Sequence, residues 1–99
     1  MPAYVCVIEM RLHLPHVSSL KEKRRVVKSL AAQLRQRFGA AVAETEEQDS
    51  WRQAVLVAAL VGGSDTAARA DELERFVDAR TPDGCYFERA LRTLEDIHG

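Results

Sequence analysis

An alternating segment followed at once by a well-capped helix constrains the fold of this 99-residue chain more than any other feature. In residues 3–14, every second residue belongs to an apolar set: Tyr4, Cys6, Ile8, Met10, Leu12 and Leu14. The set between them is mixed: Val5, Val7, Glu9, Arg11 and His13. A period of two over this length is typical of a half-buried strand, and Pro15 ends it.

The segment that follows has the signals of a helix from beginning to end. Ser19 and Glu22 fit a capping box, in which the Ser19 hydroxyl accepts from the Glu22 amide and the Glu22 carboxylate accepts from the Ser19 amide. At about 100° per residue, one stripe of the helix is apolar. Its members are Leu20, Val27, Leu30, Ala31, Leu34 and Phe38. Gly39 follows as a C-terminal cap, so the pattern predicts a helix over 20–38.

Two more strands and a second helix are indicated downstream. Residues 40–45 indicate a short strand that leads into an acidic turn, and residues 50–61 a long strand. From Ala54 to Val61 every residue is apolar, as in a central strand. Gly62 and Gly63 stop it, and Ser64 or Asp65 caps a second helix. The core stripe of that helix is Ala70, Leu73, Phe76 and Val77.

The tail after the turn at 80–84 is ambiguous from its own residues. Tyr86 and Phe87 favour a strand, whereas Ala90, Leu91 and Leu94 also fit a helix. A strand completes the order β-α-β-β-α-β, and two right-handed crossovers then place both helices on one face of a four-stranded antiparallel sheet. We therefore expect an α+β, ferredoxin-like two-layer sandwich, with residues 1–99 as a single domain.

A two-layer sandwich leaves one sheet face uncovered, and here that face carries apolar residues. Val5 and Val7 belong to the mixed set of the first strand, and the third strand is apolar on both faces. An apolar patch of this kind usually meets another surface, so we expect a homo-oligomer, most simply a dimer, with Val5 and Val7 in its interface. The alternative is that the tail or a helix end covers the face.

Charge is distributed unevenly along the chain. Residues 1–39 hold eight basic and two acidic side chains, and residues 40–99 hold six basic and thirteen acidic ones. The first helix concentrates the cations, and a hypothetical anion or RNA site consists of Lys21, Lys23, Arg24, Arg25, Lys28 and Arg35. Ser19 and Glu22 hold the end of that helix in place.

Cations in the first helical turns oppose the positive end of the helix dipole, at a cost of a few tenths to about 1 kcal/mol each. A bound phosphate would offset that cost. The alternative is a solvated basic face that pairs with an acidic surface, such as the chain's own turn with Glu44, Glu46, Glu47 and Asp49. Lys23 falls on the apolar side, where its stem can pack while its ammonium reaches the sheet's end.

Composition argues against several other classes of protein. The sequence pI of 6.3 is low for a dedicated nucleic-acid module. On its uncovered face the first strand offers Val5, Val7, Glu9 and Arg11 in place of aromatic side chains, so RNA would be bound through phosphates at the helix, and sequence-specific DNA binding is not expected. We find no catalytic set, no metal or calcium motif and no cofactor motif, and a small-molecule enzyme is the least favoured class.

The cysteines and the termini indicate where the protein works. Cys6 and Cys85 are expected to be buried and reduced, with a disulfide only if their strands are neighbours. No apolar run reaches the roughly 20 residues of a membrane span, and the N-terminus lacks a basic signal-peptide region. We therefore expect a cytoplasmic protein without a membrane partner.

Two segments resemble a known family. "HVSSLKEKRRVVKSL" and "VAETEEQDSWRQAVLVAALVGG" are similar to the "HSLKEKRxVVKSL" and "VAExxxQDxWxxA" hallmarks of the YlxP-like family, small bacterial proteins of unknown function. The matching residues are Ser19, Leu20, Lys21, Glu22, Lys23, Arg24, Val26, Val27, Lys28, Val42, Ala43, Glu44, Gln48, Asp49 and Trp51. The resemblance spans roughly residues 3–80 and implies a ferredoxin-like fold. It also implies a ribosome or RNA connection, because family genes often lie beside those of translation and ribosome-maturation factors; it brings no catalytic residues.

Overall fold

The computed structural model describes residues 2–46 and 52–99. Along the chain, the elements are β1 (Tyr4–His13), α1 (Leu20–Phe38), β2 (Ala41–Glu46), β3 (Gln53–Gly62), α2 (Thr66–Arg80), β4 (Cys85–Thr93) and α3 (Leu94–His98). This order confirms the predicted α+β, ferredoxin-like sandwich, and α1 has the predicted bounds.

All strand pairs in the four-stranded sheet are antiparallel, in the order β2-β3-β1-β4. The central strands β1 and β3 pair along their whole length, with Val7 opposite Ala59 on one side and opposite Ala90 on the other. In β2, the register shifts between Glu44 and Glu46, so that this edge strand carries a bulge. The order places β2 and β4 at the two edges.

The core lies between the sheet and the two long helices. From β1 it takes the apolar set that the alternation predicts: Cys6, Ile8, Met10 and Leu12. The helices add buried residues at helical spacing: Val27, Leu30 and Leu34 from α1, and Ala70, Leu73 and Val77 from α2. Because both helices pack on the same face, the mixed set of β1 lies on the other face.

The tail contains both a strand and a helix. β4 ends at Thr93, whose hydroxyl accepts a 3.1 Å bond from the Asp96 amide, while the Asp96 carboxylate accepts a 2.8 Å bond from the Thr93 amide. This capping box begins α3 and makes three helices where the sequence predicts two. The fourth strand that the topology requires is present.

The cysteines are free thiols on neighbouring strands, in positions that do not meet. Cys6 lies opposite Leu91, whereas Cys85 lies opposite Leu12, six residues further along β1. Cys6 is buried and Cys85 half-buried, and desolvation raises the pKa of the Cys85 thiol to about 12. The alternative of a Cys6–Cys85 disulfide is therefore wrong.

The helices of the described residues are all too short or too polar to cross a membrane.

Candidate functional site

The beginning of α1 is held by two serines rather than one. As predicted, the Ser19 hydroxyl accepts a 3.1 Å hydrogen bond from the Glu22 amide. The Glu22 carboxylate, however, accepts from the amide (3.1 Å) and the hydroxyl (2.8 Å) of Ser18, so the predicted bond to the Ser19 amide is wrong. The two hydrogen bonds from Ser18 lower the pKa of Glu22 below its usual 4.5, and the bond from the Ser18 amide has the larger effect.

The exposed face of α1 carries Lys21, Arg24, Arg25 and Lys28, which we call the basic arc. Positions three and four apart share one side of a helix, so these four side chains form a continuous surface over two turns. Within residues 2–46 and 52–99, no carboxylate lies within ion-pair distance of any of them. The fold therefore leaves their charge open to solvent.

Lys23 is placed differently from the basic arc although it lies in the same turns. It is only 2% exposed, and its ammonium nitrogen lies 3.7 Å from a carboxylate oxygen of Glu44 on β2. Its charge is compensated inside the fold, as a buried ammonium requires. The structure thus separates Lys23 from the other residues of the predicted anion site.

Arg35 is exposed, but it also binds the fold. Its guanidinium donates a 2.8 Å hydrogen bond to the Val42 carbonyl, which joins the last turns of α1 to β2. Seven residues beyond Lys28, it lies about 10 Å further along the helix axis. Arg35 therefore borders the basic arc only at a distance.

The structure describes only part of the acidic turn that could neutralise the basic arc. Glu44 binds Lys23, as described above, and not a residue of the arc. Glu47, Asp49 and Trp51 lie outside the described residues. Among the described residues, the turn therefore pairs with α1 through one ion pair, that between Glu44 and the buried Lys23.

A groove of about 460 Å³ adjoins the basic arc, and the sequence did not reveal it. Leu12, Leu14, Val26 and Leu30 form its apolar lining, and Arg25 and Arg80 stand at it from α1 and α2. Val26 is 39% exposed although it is large and apolar. An apolar residue off the core stripe, such as Val26, is the sequence signal that could have indicated the groove. That Arg80 also lines the groove follows only from the fold.

Other arginines between the two helices are engaged in packing. Arg69 donates to the carbonyls of Phe38 (2.8 Å) and Val61 (3.1 Å), and so ties α2 to α1 and β3. The guanidinium carbon of Arg80 lies 3.5 Å from the centroid of the Phe76 ring, and that of Arg37 lies 4.7 Å from it. These contacts give the arginines a structural role that the residues of the basic arc do not have.

Residues 5–85 match the family described as "Protein of unknown function (DUF503)". The chain belongs to DUF503. No curated protein matches it.

Solved structures similar to this DUF503 protein agree in fold. The de novo designed protein Foldit4 superposes with a TM-score of 0.58 at 12% identity, over 92% of this chain and 97% of its own. A variant of SnoaB, a cofactor-independent oxygenase from Streptomyces nogalater, does so with a TM-score of 0.53 at 18% identity, over 91% of both chains. At such identities the likeness concerns the fold alone.

The histidines of the DUF503 chain do not join the basic arc. His16 Nε2 lies 3.1 Å from a carboxylate oxygen of Asp83, in the turn before β4, and His13 is an exposed residue at the end of β1. Among the described residues, no three His, Cys, Asp or Glu side chains are grouped so as to hold a metal.

The second candidate surface is the open face of the sheet, which neither long helix covers. Val7 is 41% exposed, Val61 68% and Tyr86 69%, while Val5 beside them is half-buried. Exposure on β3 rises from Val55, which is buried, to Val61 near the strand's end. The predicted interface residues Val5 and Val7 thus lie on a face where apolar side chains reach solvent.

Proposed function

We propose that this DUF503 protein is a non-enzymatic binding module whose basic arc contacts the phosphates of RNA. The observation that carries the proposal is the set of four exposed cations at Lys21, Arg24, Arg25 and Lys28, with no ion-pair partner among the described residues. Exposed cations on one surface are the usual means of contacting a phosphate backbone.

The position of the basic arc supports a bound anion. Lys21 and Arg24 lie in the first turns of a 19-residue helix, next to amides that have no partner within the helix. The helix dipole makes cations at that end unfavourable when no ligand is bound. A phosphate bound there would interact favourably with both the amides and the basic side chains. The fold alone gives no reason for this arrangement, and phosphate binding gives one.

The rest of the surface favours phosphate contacts over base reading. RNA-binding sheets of this fold class stack bases on aromatic side chains of their central strands. Here the open face of β1 carries Val5, Val7, Glu9 and Arg11, and the exposed aromatic residue Tyr86 lies on the edge strand β4. We therefore expect binding that depends on salt more than on sequence.

The family context fits such a role. We infer that this DUF503 chain is one of the YlxP-like bacterial proteins and acts in the cytoplasm, on RNA of the translation apparatus or on the ribosome itself. The "SLKEKRxVVKSL" hallmark of those proteins falls on the basic arc.

A protein-interaction module is the second candidate function. The ion pair between Lys23 and Glu44 shows that α1 can meet a carboxylate from another element. In this alternative, the basic arc binds an acidic protein surface, within a homo-oligomer or on another protein. Such pairs at a rim contribute little energy, so salt can remove only a little, and we expect a shallower salt dependence than phosphate contacts give.

The test is co-sedimentation with ribosomes and with RNA over a range of salt. For the wild type, log K should fall linearly with log salt, and each phosphate contact removed should lower that slope by about 0.9. The triple variant Lys21→Glu/Arg25→Glu/Lys28→Glu should lose sedimentation with both.

A pair of single variants separates the basic arc from net charge. Lys28→Glu and Arg75→Glu change the charge equally, and Arg75 is exposed on α2. Lys28→Glu should weaken binding and lower the slope by about 0.9, and Arg75→Glu should leave the slope as it is. Failure of the wild type to bind either ribosomes or RNA, or equal effects of both variants, would contradict the proposal.

A further inference from the structure

We propose that two copies of this chain pack open face against open face, about a two-fold axis that follows one cross-strand row of the sheet. That row consists of Ala41, Ala59, Val7 and Ala90, which lie side by side on β2, β3, β1 and β4. Three of its four residues are alanines, so two sheets can approach closely there, and face-to-face sheets pack about 10 Å apart. This surface is separate from the basic arc, and the proposal stands without it.

The exposed row of β4 is complementary to itself about Ala90. Every second residue of the strand belongs to it: Tyr86, Glu88, Ala90 and Arg92. The exposed Leu94, the first residue of α3, follows directly after the strand. In an isologous contact, residue i meets residue j of the second copy and j meets i. A two-fold axis at Ala90 therefore pairs Glu88 with Arg92 in both directions, and it brings Tyr86 of each copy towards the beginning of α3 in the other.

The inner strands agree with the same axis. On β3, Ala59 lies on the axis, so that Val57 faces Val61 of the second copy. On β1, Val5 faces Glu9, whose carboxylate is already held 3.2 Å from the Arg11 guanidinium of its own copy. A carboxylate that keeps its partner can be covered at lower cost than a bare one. The axis therefore pairs valines on β3 and opposite charges on β4, and on β1 it covers the ion-paired Glu9 with Val5.

The size of the face suits a dimer. Four strands about 4.8 Å apart and about nine residues of 3.3 Å each give roughly 500–600 Å² of projected face. With the relief of its side chains, the face approaches the roughly 800 Å² per partner of a standard stable interface. It lies at the upper end of the roughly 300–600 Å² that the largest patch of a typical monomer covers.

The experiment is measurement of the dissociation constant by sedimentation equilibrium over a wide concentration range, with two matched valine variants. Val61→Glu places a carboxylate in the proposed interface, and Val26→Glu makes the same change at an exposed valine of the helix layer. Because both sites are exposed in the monomer, both variants should fold. Val61→Glu should raise the dissociation constant at least ~100-fold, since it buries an unpaired charge, and Val26→Glu should leave it near the wild-type value.

A charge exchange tests the position of the axis. Glu88→Arg and Arg92→Glu should each weaken the dimer by placing like charges together, and the double variant should restore it. A wild type that stays monomeric at ~100 µM, Val61→Glu and Val26→Glu with the same dissociation constant, or a double variant as weak as the singles would overturn the proposal.

Discussion

Helices α1 and α2 pack side by side on the same sheet face, yet they use their charges in opposite ways. Both contribute fully buried leucines to the core, Leu34 from α1 and Leu73 from α2. α1 has seven basic residues and one acidic residue, whereas α2 has three basic and four acidic ones. Their burial is therefore alike, and their electrostatics differ.

Four of the seven charged residues of α2 have partners within the fold. Asp71 and Glu74 bind Arg89 of β4, Arg69 binds two backbone carbonyls, and Arg80 covers Phe76. In α1, by contrast, Lys23 and Arg35 are engaged in this way while the basic arc is not. A run of charges on a helix therefore indicates a binding surface only for those side chains that have no partner within the fold.

The largest difference within α1 should appear between two lysines two residues apart. Lys23→Ala removes a buried stem and leaves Glu44 without its partner, and we expect it to lower the free energy of unfolding by about 2 kcal/mol. Lys21→Ala should change it by less than about 0.5 kcal/mol, because that side chain is exposed. Urea denaturation of both variants measures the difference; equal effects would contradict the buried role of Lys23.

A smaller difference should separate the caps of the two helices. Ser19→Ala removes the hydrogen bond to the Glu22 amide and should cost about 1 kcal/mol. Asp65, the N-cap of α2, makes no side-chain cap bond, so Asp65→Ala should cost at most a few tenths of a kcal/mol. Thermal unfolding of the two variants measures both losses of stability. A larger loss for Asp65→Ala than for Ser19→Ala would contradict this prediction.

The smallest effect should be a pH dependence that α1 owes to Glu22. Because hydrogen bonds from Ser18 lower its pKa in the folded state, ionised Glu22 stabilises the protein above its usual pKa of 4.5. That stability is lost as the pH falls below 4.5 through the lowered folded-state value. The difference in unfolding free energy between wild type and Glu22→Gln should therefore shrink on acidification, as urea titrations at several pH values would show; a constant difference would argue against it.

The sequence predicted those elements whose signals are local. α1 begins and ends where Ser19 and Gly39 place it, since a side-chain cap and a glycine at φ 64° both act within one turn. β1 is predicted from its alternation, because alternation indicates that one face of the strand is buried. It does so without any knowledge of the elements that cover that face. The tail stayed ambiguous because Tyr86 and Leu94 belong to two different elements, with Thr93 as the boundary.

What the sequence missed depends on contacts between distant elements. Glu22 could be paired with either serine, and only the path of the loop selects Ser18. Lys23 falls on the apolar side of the helix wheel, but Glu44 as its partner follows from the pairing of β2 with β3. The groove likewise needs Arg80 from the end of α2 beside Arg25 from α1, which no spacing along the chain indicates.

The bulge in β2 has a consequence for how copies of this chain can associate. A sheet with free edges can grow by adding strands, which leads to open-ended aggregation. At one edge, β2 is only six residues long and its ladder is interrupted between Glu44 and Glu46. At the other, β4 carries Glu88, Arg89 and Arg92 along its length. Both edges are thus poor templates for a further strand, and the dimer proposed above uses the broad face instead, where a two-fold contact would close after two copies.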